Sequence, residues 1–268
     1  MLPFKVLSAA PRIVVFPSFL SESEVATLIE VASLKWRDAT TVGLETGDPI
    51  TTSYRTGVIS DVDSKSVVDI IKRLGECTKT EPKQCEGFQV LKYSLTNEYK
   101  EHTDWFDQRI PGIRKVFKMG GQRIYSVIIG LKEADDGGEI HFKKIGLKFR
   151  IKSGDAVIFE NVKPNGVPDE LTLHEALPVI KGEKLVCVTW IRERAFDGSE
   201  EPDDAIAWKR EAKTIKAMRQ DACSTELPKF LKHYGCVLAV EALPVIGEDG
   251  SITIDTTVKV RAVDVKEE

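Results

Sequence analysis

The stretch from Glu86 to Glu193 constrains the fold more than any other part of the chain. It breaks into short segments rich in β-branched and aromatic residues, separated by Gly, Pro and Asp. These are Phe88 to Tyr93, Glu98 to Asp104, Arg123 to Leu131, Glu139 to Phe142, Lys148 to Ile151, Ala156 to Glu160, Leu171 to Leu177 and Lys184 to Arg192. Eight or so strands within about a hundred residues predict a barrel or a double-sheet jelly roll.

The flanks read differently. Arg12 to Phe16 (RIVVF) predicts a strand, and Ser21-Glu22-Ser23-Glu24 has the form of a capping box ahead of Val25, Leu28, Ile29 and Ala32 at helical spacing. A second helix is expected from about Asp63, with Val67, Ile70, Ile71 and Leu74 on one face and Gly75 as its stop. Between them, Arg37 to Thr56 reads as a long loop. After the strand-dense region comes an acidic linker, Asp197 to Asp204. It leads to a helix with Trp208, Ala212, Ile215 and Met218 on one face, then two strands, Cys236 to Ile246 and Ser251 to Val263, joined by a Gly247-Glu248-Asp249-Gly250 turn. The division predicted is a domain over 1–196 and an extension over 197–268, docked on the core or on a second subunit as a homodimer contact.

Composition limits the partners. The 268 residues carry 38 Lys and Arg against 42 Asp and Glu, a net charge of −4, so no overall positive field exists to draw the chain to nucleic acid or a membrane surface. Neither a signal peptide nor an apolar run of spanning length is visible. The five cysteines are odd in number and lack Cys-x-x-Cys spacing, which predicts a reducing, cytoplasmic setting and no disulfide framework.

Only four histidines are available for imidazole chemistry: His102, His141, His174 and His233. His102 and Asp104 stand two apart at the end of a strand segment, so both side chains reach one face. His174, on a later strand, is the natural third ligand. Two imidazoles and one carboxylate leave open positions on a metal, as suits Fe(II) that must also take a chelating cosubstrate and dioxygen. Lys184 heads the segment KLVCVTWIR and shares a side with Val186, Val188 and Trp190. An ammonium turned into a barrel interior needs an anion, and a ligand carboxylate would serve. His141 is read as a strand residue beside the site or facing solvent, and His233 as solvated.

Ordered motifs add to this. Tyr93, Tyr99 and His102-Thr103-Asp104, then Gln122-Arg123-Ile124-Tyr125-Ser126, Gly137-Gly138-Glu139-Ile140-His141-Phe142, Gly154-Asp155-Ala156-Val157-Ile158-Phe159, and finally His174, Pro178, Val179, Gly182, Lys184 and Trp190 follow one another along the chain. Together with Pro11-Arg12, Phe19-Leu20-Ser21 and Arg55-Thr56, this series resembles the Fe(II)- and 2-oxoglutarate-dependent dioxygenases, in their prolyl 4-hydroxylase-like branch. The likeness runs from about Ser8 to Arg194, roughly 70% of the chain. Departures are Thr96 for a small glycine, Ser126 for threonine, and Leu177 before Pro178 for cysteine.

The resemblance implies a mainly β fold with flanking helices (α+β): a double-stranded β-helix (jelly roll) core, N-terminal helices, and a C-terminal helix plus β-hairpin appendage. It implies Fe(II) held by His102, Asp104 and His174. It also implies 2-oxoglutarate paired through its far carboxylate to Lys184 with help from Tyr93 and Ser126, and O2 as co-reactant; ascorbate is a further candidate. Trp190 is the leading substrate contact, with Arg55 and Trp105 behind it. The carboxylate at Asp104 favours hydroxylation over halogenation, since halogenating relatives carry a small residue there. The expected reaction is insertion of oxygen into an unactivated C–H bond, with 2-oxoglutarate decarboxylated to succinate. A prolyl peptide is the default substrate. A free amino acid or a small natural-product metabolite is the alternative within the same chemistry, and a non-oxygenase cupin-like metal isomerase is the rival class. The basic segment Phe106 to Gly121, bearing Arg109, Arg114, Lys115 and Lys118, is read as a loop, either a solvated face or a lid.

Overall fold

An eight-stranded, antiparallel sheet forms the backbone of the computed structural model, which describes residues 2–196 and the strands Cys236–Ile246 and Ile252–Ala262. Its strands lie in the order Lys5–Ala9, Arg12–Phe16, Ala156–Glu160, Arg123–Lys132, Lys184–Arg192, Phe88–Tyr93, Val58–Val62 and Arg37–Asp38. A smaller sheet runs Leu147–Phe149, Ile140–Phe142, His174–Ala176, Tyr99–His102.

The near-continuous apolar runs in the central strands follow from burial on both faces. Val14, Ile158, Leu185 and Cys187 point to one side, where they pack against Val25 and Leu28 of helix α1 (Glu22–Ser33) and Ile70 and Leu74 of helix α2 (Val68–Thr78). Their sequence neighbours Ile13, Val157 and Phe159 turn the other way onto Ile140 and Phe142 of the small sheet. Val186 and Val188 share that inner side with Leu91, Tyr93 and Val179. Each such aliphatic side chain contributes about 1.5–3 kcal/mol over leaving it in water. The result is the jelly roll that the strand density predicts, with helices on the outside of the large sheet and the site between the sheets.

Several sequence expectations shift. The capping box of α1 is present, with Glu24 N–H donating to Ser21 Oγ and Ser21 N–H to Glu24 Oε2. Helix α2, entered through a 3-10 turn over Ser64–Val67, does not stop at Gly75 but continues to Thr78. Gly75 is needed for a close approach: a Cβ there would stand 2.7 Å from the Thr80 carbonyl oxygen as the chain folds back. Within the segment read as the loop 37–56, Thr40–Val42 pairs with Pro49–Thr51 as a small hairpin. The segment read as the loop 106–121 contains helix α3 (Pro111–Lys118), opened by Pro111 at a first-turn position where a missing N–H costs nothing. The expected strand Leu171 to Leu177 is a 3-10 turn, Glu170–Thr172, followed by the short strand His174–Ala176.

The chain divides into two compact units, Met1–Asp204 and Ala205–Glu268. In the second, Cys236–Ile246 pairs antiparallel with Ile252–Ala262 over its full length, as the hairpin pattern predicts. The linker 197–204, the helix read around Trp208 and Met218, and His233 lie outside the described residues.

Candidate metal centre and cosubstrate pocket

Residues three apart on a regular strand face opposite ways. The Tyr99–His102 strand departs from regularity: His102 lies opposite His174, yet Tyr99 lies opposite Ala176, so one extra residue is inserted. That bulge turns Tyr99 and His102 to the same side. Their rings stack with centroids 3.5 Å apart and planes 15° apart. Asp104 follows by two and returns to that side. Its exit is fixed by Gln122, whose amide accepts from Phe106 N–H at 2.7 Å and donates to Phe106 O at 3.0 Å.

The two imidazoles are oriented from behind. His102 Nδ1 lies 2.8 Å from Lys100 O and His174 Nδ1 2.9 Å from Thr172 O. A ring nitrogen facing a carbonyl carries the hydrogen, so the neutral tautomer of each ring has its lone pair on Nε2. The Nε2 atoms stand 3.7 and 3.9 Å from Asp104 Oδ1 and Oδ2, beyond hydrogen-bond range. All three ligand atoms lie within 4.8 Å of one another. Burial and the adjacent His174 push His102 down to about 3. Burial works the other way on Asp104, but His174, His102, Arg123 and the Ser126 hydroxyl hold its carboxyl well below the usual range. A neutral imidazole at His102 and an ionised carboxylate at Asp104 suit a divalent metal, and with His174 beside them the three groups fit one.

Lys184 stands directly opposite Tyr93 on the neighbouring strand, and both line the same cavity as the triad. The lysine is 7% exposed. Its Nζ donates to Gly138 O at 2.7 Å and sits 5.3 Å from the Tyr93 ring centre, with no carboxylate of the described residues within ion-pair distance. Burial pushes its pKa down to about 8. Burial raises the Tyr93 phenol, against the nearby Arg55, so it stays a hydrogen-bond donor at neutral pH.

Ser126 lines the same cavity, next to Asp104. Its hydroxyl donates to Asp104 Oδ2 at 2.6 Å and accepts from Asn161 Nδ2 at 2.8 Å, so its proton is engaged by the Asp104 carboxylate. Trp190 and Arg55 line the cavity; Trp105 does not, since the residue after Asp104 turns away from the wall, leaving its buried Nε1 without a partner. His141 lies one pair away, its Nδ1 2.8 Å from Glu175 Oε1. Arg123, in the Gln122 to Ser126 motif, has its guanidinium 3.7 Å from the Trp190 ring centre and forks onto Glu86 at 2.7 and 2.8 Å. Asn161 had no sequence signal beyond its place two residues after Phe159.

A family model for the 2OG-Fe(II) oxygenase superfamily matches residues 88–192. Prolyl 4-hydroxylase 13 of Arabidopsis thaliana is 30% identical over 215 residues, 73% of this chain and 76% of its own length. Prolyl 4-hydroxylase 5 of the same plant is 32% identical over 214 residues, 72% of each chain. The chain belongs to the 2OG-Fe(II) oxygenase superfamily. Within it, the chain falls in the prolyl 4-hydroxylase-like branch. The fold of this oxygenase is also that of the viral collagen prolyl hydroxylase from Paramecium bursaria Chlorella virus-1 in its 2OG complex. The two superpose with a TM-score of 0.52 at 24% identity, over 67% of this chain and 95% of that one. The oxygenase is thus a 2-oxoglutarate-dependent dioxygenase that uses Fe(II), 2-oxoglutarate and O2, and the isomerase reading is not favoured. Among its described residues, no helix is long and apolar enough to cross a membrane.

Proposed function

We propose that this oxygenase hydroxylates a prolyl residue of a peptide, holding Fe(II) through His102, Asp104 and His174 and the far carboxylate of 2-oxoglutarate through Lys184 and Tyr93. The observation that carries this is the buried Lys184 ammonium, with no carboxylate of the described residues within ion-pair distance, lining the same cavity as the converging triad. When bound, iron and 2-oxoglutarate supply dioxygen activation, with the keto acid decarboxylated to succinate and one oxygen atom entering the substrate C–H bond.

The chain's own groups do the rest. The oriented imidazoles present their lone pairs, and Asp104 stays ionised. The Lys184 ammonium and the Tyr93 O–H offer two donors to one carboxylate, which sets where the cosubstrate's other end lies. Leu91, Ile128, Ile140, Val186 and Val188 make that wall apolar and keep water from the reacting atoms. Trp190, stacked on Arg123, and Arg55 stand where a substrate would enter. The prolyl assignment draws its support from the relatives, both of which are named as prolyl 4-hydroxylases.

The test is a screen for substrate-stimulated succinate release over prolyl peptides, free amino acids and small metabolites, with the product read by its gain of one oxygen atom. Turnover on prolyl peptides that needs Fe(II) and 2-oxoglutarate is the expected result. Turnover confined to free amino acids or metabolites overturns the peptide reading, and normal turnover of His174→Ala overturns the site. Omitting ascorbate from the same assay reads whether it is required. The homodimer through 197–268 is a further proposal, tested by mass measurement of the full chain in solution.

A further inference from the structure

Asn161 is fully buried, yet its Oδ1 has no hydrogen-bond partner. A buried acceptor left unpaired is costly, and an aliphatic residue would avoid the penalty. Its other amide atom is engaged: Nδ2 donates to Ser126 Oγ at 2.8 Å, and Ser126 donates to Asp104 Oδ2 at 2.6 Å. The direction of this chain is fixed by chemistry. An ionised carboxylate only accepts, so the Ser126 proton must point to Asp104, and Ser126 can then only receive a hydrogen from its second partner. Of the two amide atoms, only the NH2 group can meet that need.

The backbone of Asn161 reaches a second ligand. Its carbonyl accepts from Asp169 N–H at 2.9 Å, and the Asp169 carbonyl accepts from Thr172 N–H at 3.1 Å and Thr172 Oγ1 at 2.6 Å. The Thr172 carbonyl in turn receives His174 Nδ1 at 2.9 Å. One residue at the end of the Ala156–Glu160 strand therefore stands behind two of the three triad members. The backbone arm survives substitution of the side chain; the arm to Asp104 does not.

We infer that Asn161, acting through Ser126, is a positioning residue that holds Asp104 by Oδ2 and leaves Oδ1, which has no donor among the described residues, as the oxygen that takes the metal. The inference rests on the triad being the metal site. Donors behind a ligating group raise its order and its fitness as a ligand, and removing them weakens metal binding by about 10–100-fold.

The experiment is a titration of the full-length apoprotein with Co(II), followed by its ligand-field absorption, which needs no turnover. Ser126→Ala and Asn161→Ala are expected to bind Co(II) about 10–100-fold more weakly, with Ser126→Thr restoring near-native affinity because the hydroxyl returns. Asn161→Asp is expected to be at least as damaging as Asn161→Ala, since a carboxylate there draws the Ser126 proton away from Asp104. A purely structural role would lower the apoprotein melting temperature without this order of affinities, and without rescue by threonine. Native Co(II) affinity in Ser126→Ala and Asn161→Asp, while His174→Ala has lost it, overturns the inference. Retention of native affinity in His174→Ala overturns the metal site itself. If an Asn161 variant fails to fold, the Ser126→Ala and Ser126→Thr pair decides.

Discussion

Replacing Lys184 by Met should make the empty protein more stable and the cosubstrate weaker, two effects of opposite sign from one residue. At neutral pH the buried ammonium is charged, and burial has moved its pKa from 10.5 to about 8. A displacement of that size corresponds to about 3 kcal/mol of penalty on the charged form. Methionine removes the penalty at similar length but gives up the hydrogen bond to Gly138 O, worth about 1 kcal/mol. The net gain of about 2 kcal/mol raises the melting temperature of a domain this size by roughly 4–8 °C. The pH dependence has a definite sign. The folded pKa lies below the unfolded one, so the unfolded chain binds more protons between about 8 and 10.5. Native stability therefore rises with pH across that window, and the advantage of Lys184→Met shrinks there. On the binding side, losing one partner of a buried charge-assisted pair costs about 2–5 kcal/mol. Calorimetry with Mn(II)-loaded protein should show 2-oxoglutarate affinity reduced by about 30-fold or more. A variant that melts several degrees lower and still binds 2-oxoglutarate normally would refute the reasoning on both counts.

Two further outcomes follow from the packing around α3. Arg192, fully buried, spans Glu86 Oε1 at 3.0 Å and the carbonyls of Val116 and Met119 at 2.8 and 2.6 Å. Arg192→Met leaves the Val116 and Met119 carbonyls without this donor while Glu86 keeps Arg123, and should cost about 1–3 kcal/mol, read as a lower urea midpoint; a midpoint unchanged within error counts against a structural role for these bonds. Gly112 packs so tightly on the Thr40–Thr51 hairpin that an added Cβ would sit 2.5 Å from Gly47 N and closer still to Gly43 O. Gly112→Val should lift α3 and speed proteolysis within 106–121, whereas native protease resistance would show that the contact yields without moving the helix.

What could be read from the residues tracks how a segment is stabilised. Phe88–Tyr93, Ala156–Glu160 and Lys184–Arg192 match their expected bounds because their apolar runs are buried on both faces, and burial is what such runs record. The triad was legible because His102 and Asp104 stand two apart and His174 sits on the neighbouring strand, although the strand ends at His102 and Asp104 reaches the same side from the bend beyond it. The hairpin at Thr40–Thr51 was not, since its residues are half-buried or exposed and no apolar alternation marks it. Helix α3 carried one signal, Pro111 at its first turn, hidden among charges. Val58–Val62 went unread although Ile59 and Val62 are buried, because its polar residues include the buried Ser60. Ser126 shows a different limit: its partners Asp104 and Asn161 lie 22 and 35 residues away, and only pairing of the strands reveals which one receives its proton.

His102 and His174 lie directly opposite each other on adjacent strands, next to a bulge. A slip of one residue in that pairing would turn one imidazole to the opposite face and disperse the triad. With these residues as the proposed metal ligands, chelation would favour correct strand alignment, since only a correctly aligned chain gains the metal's binding energy. At saturating metal, the fraction of a preparation that loads would then report how many molecules are folded in the right register.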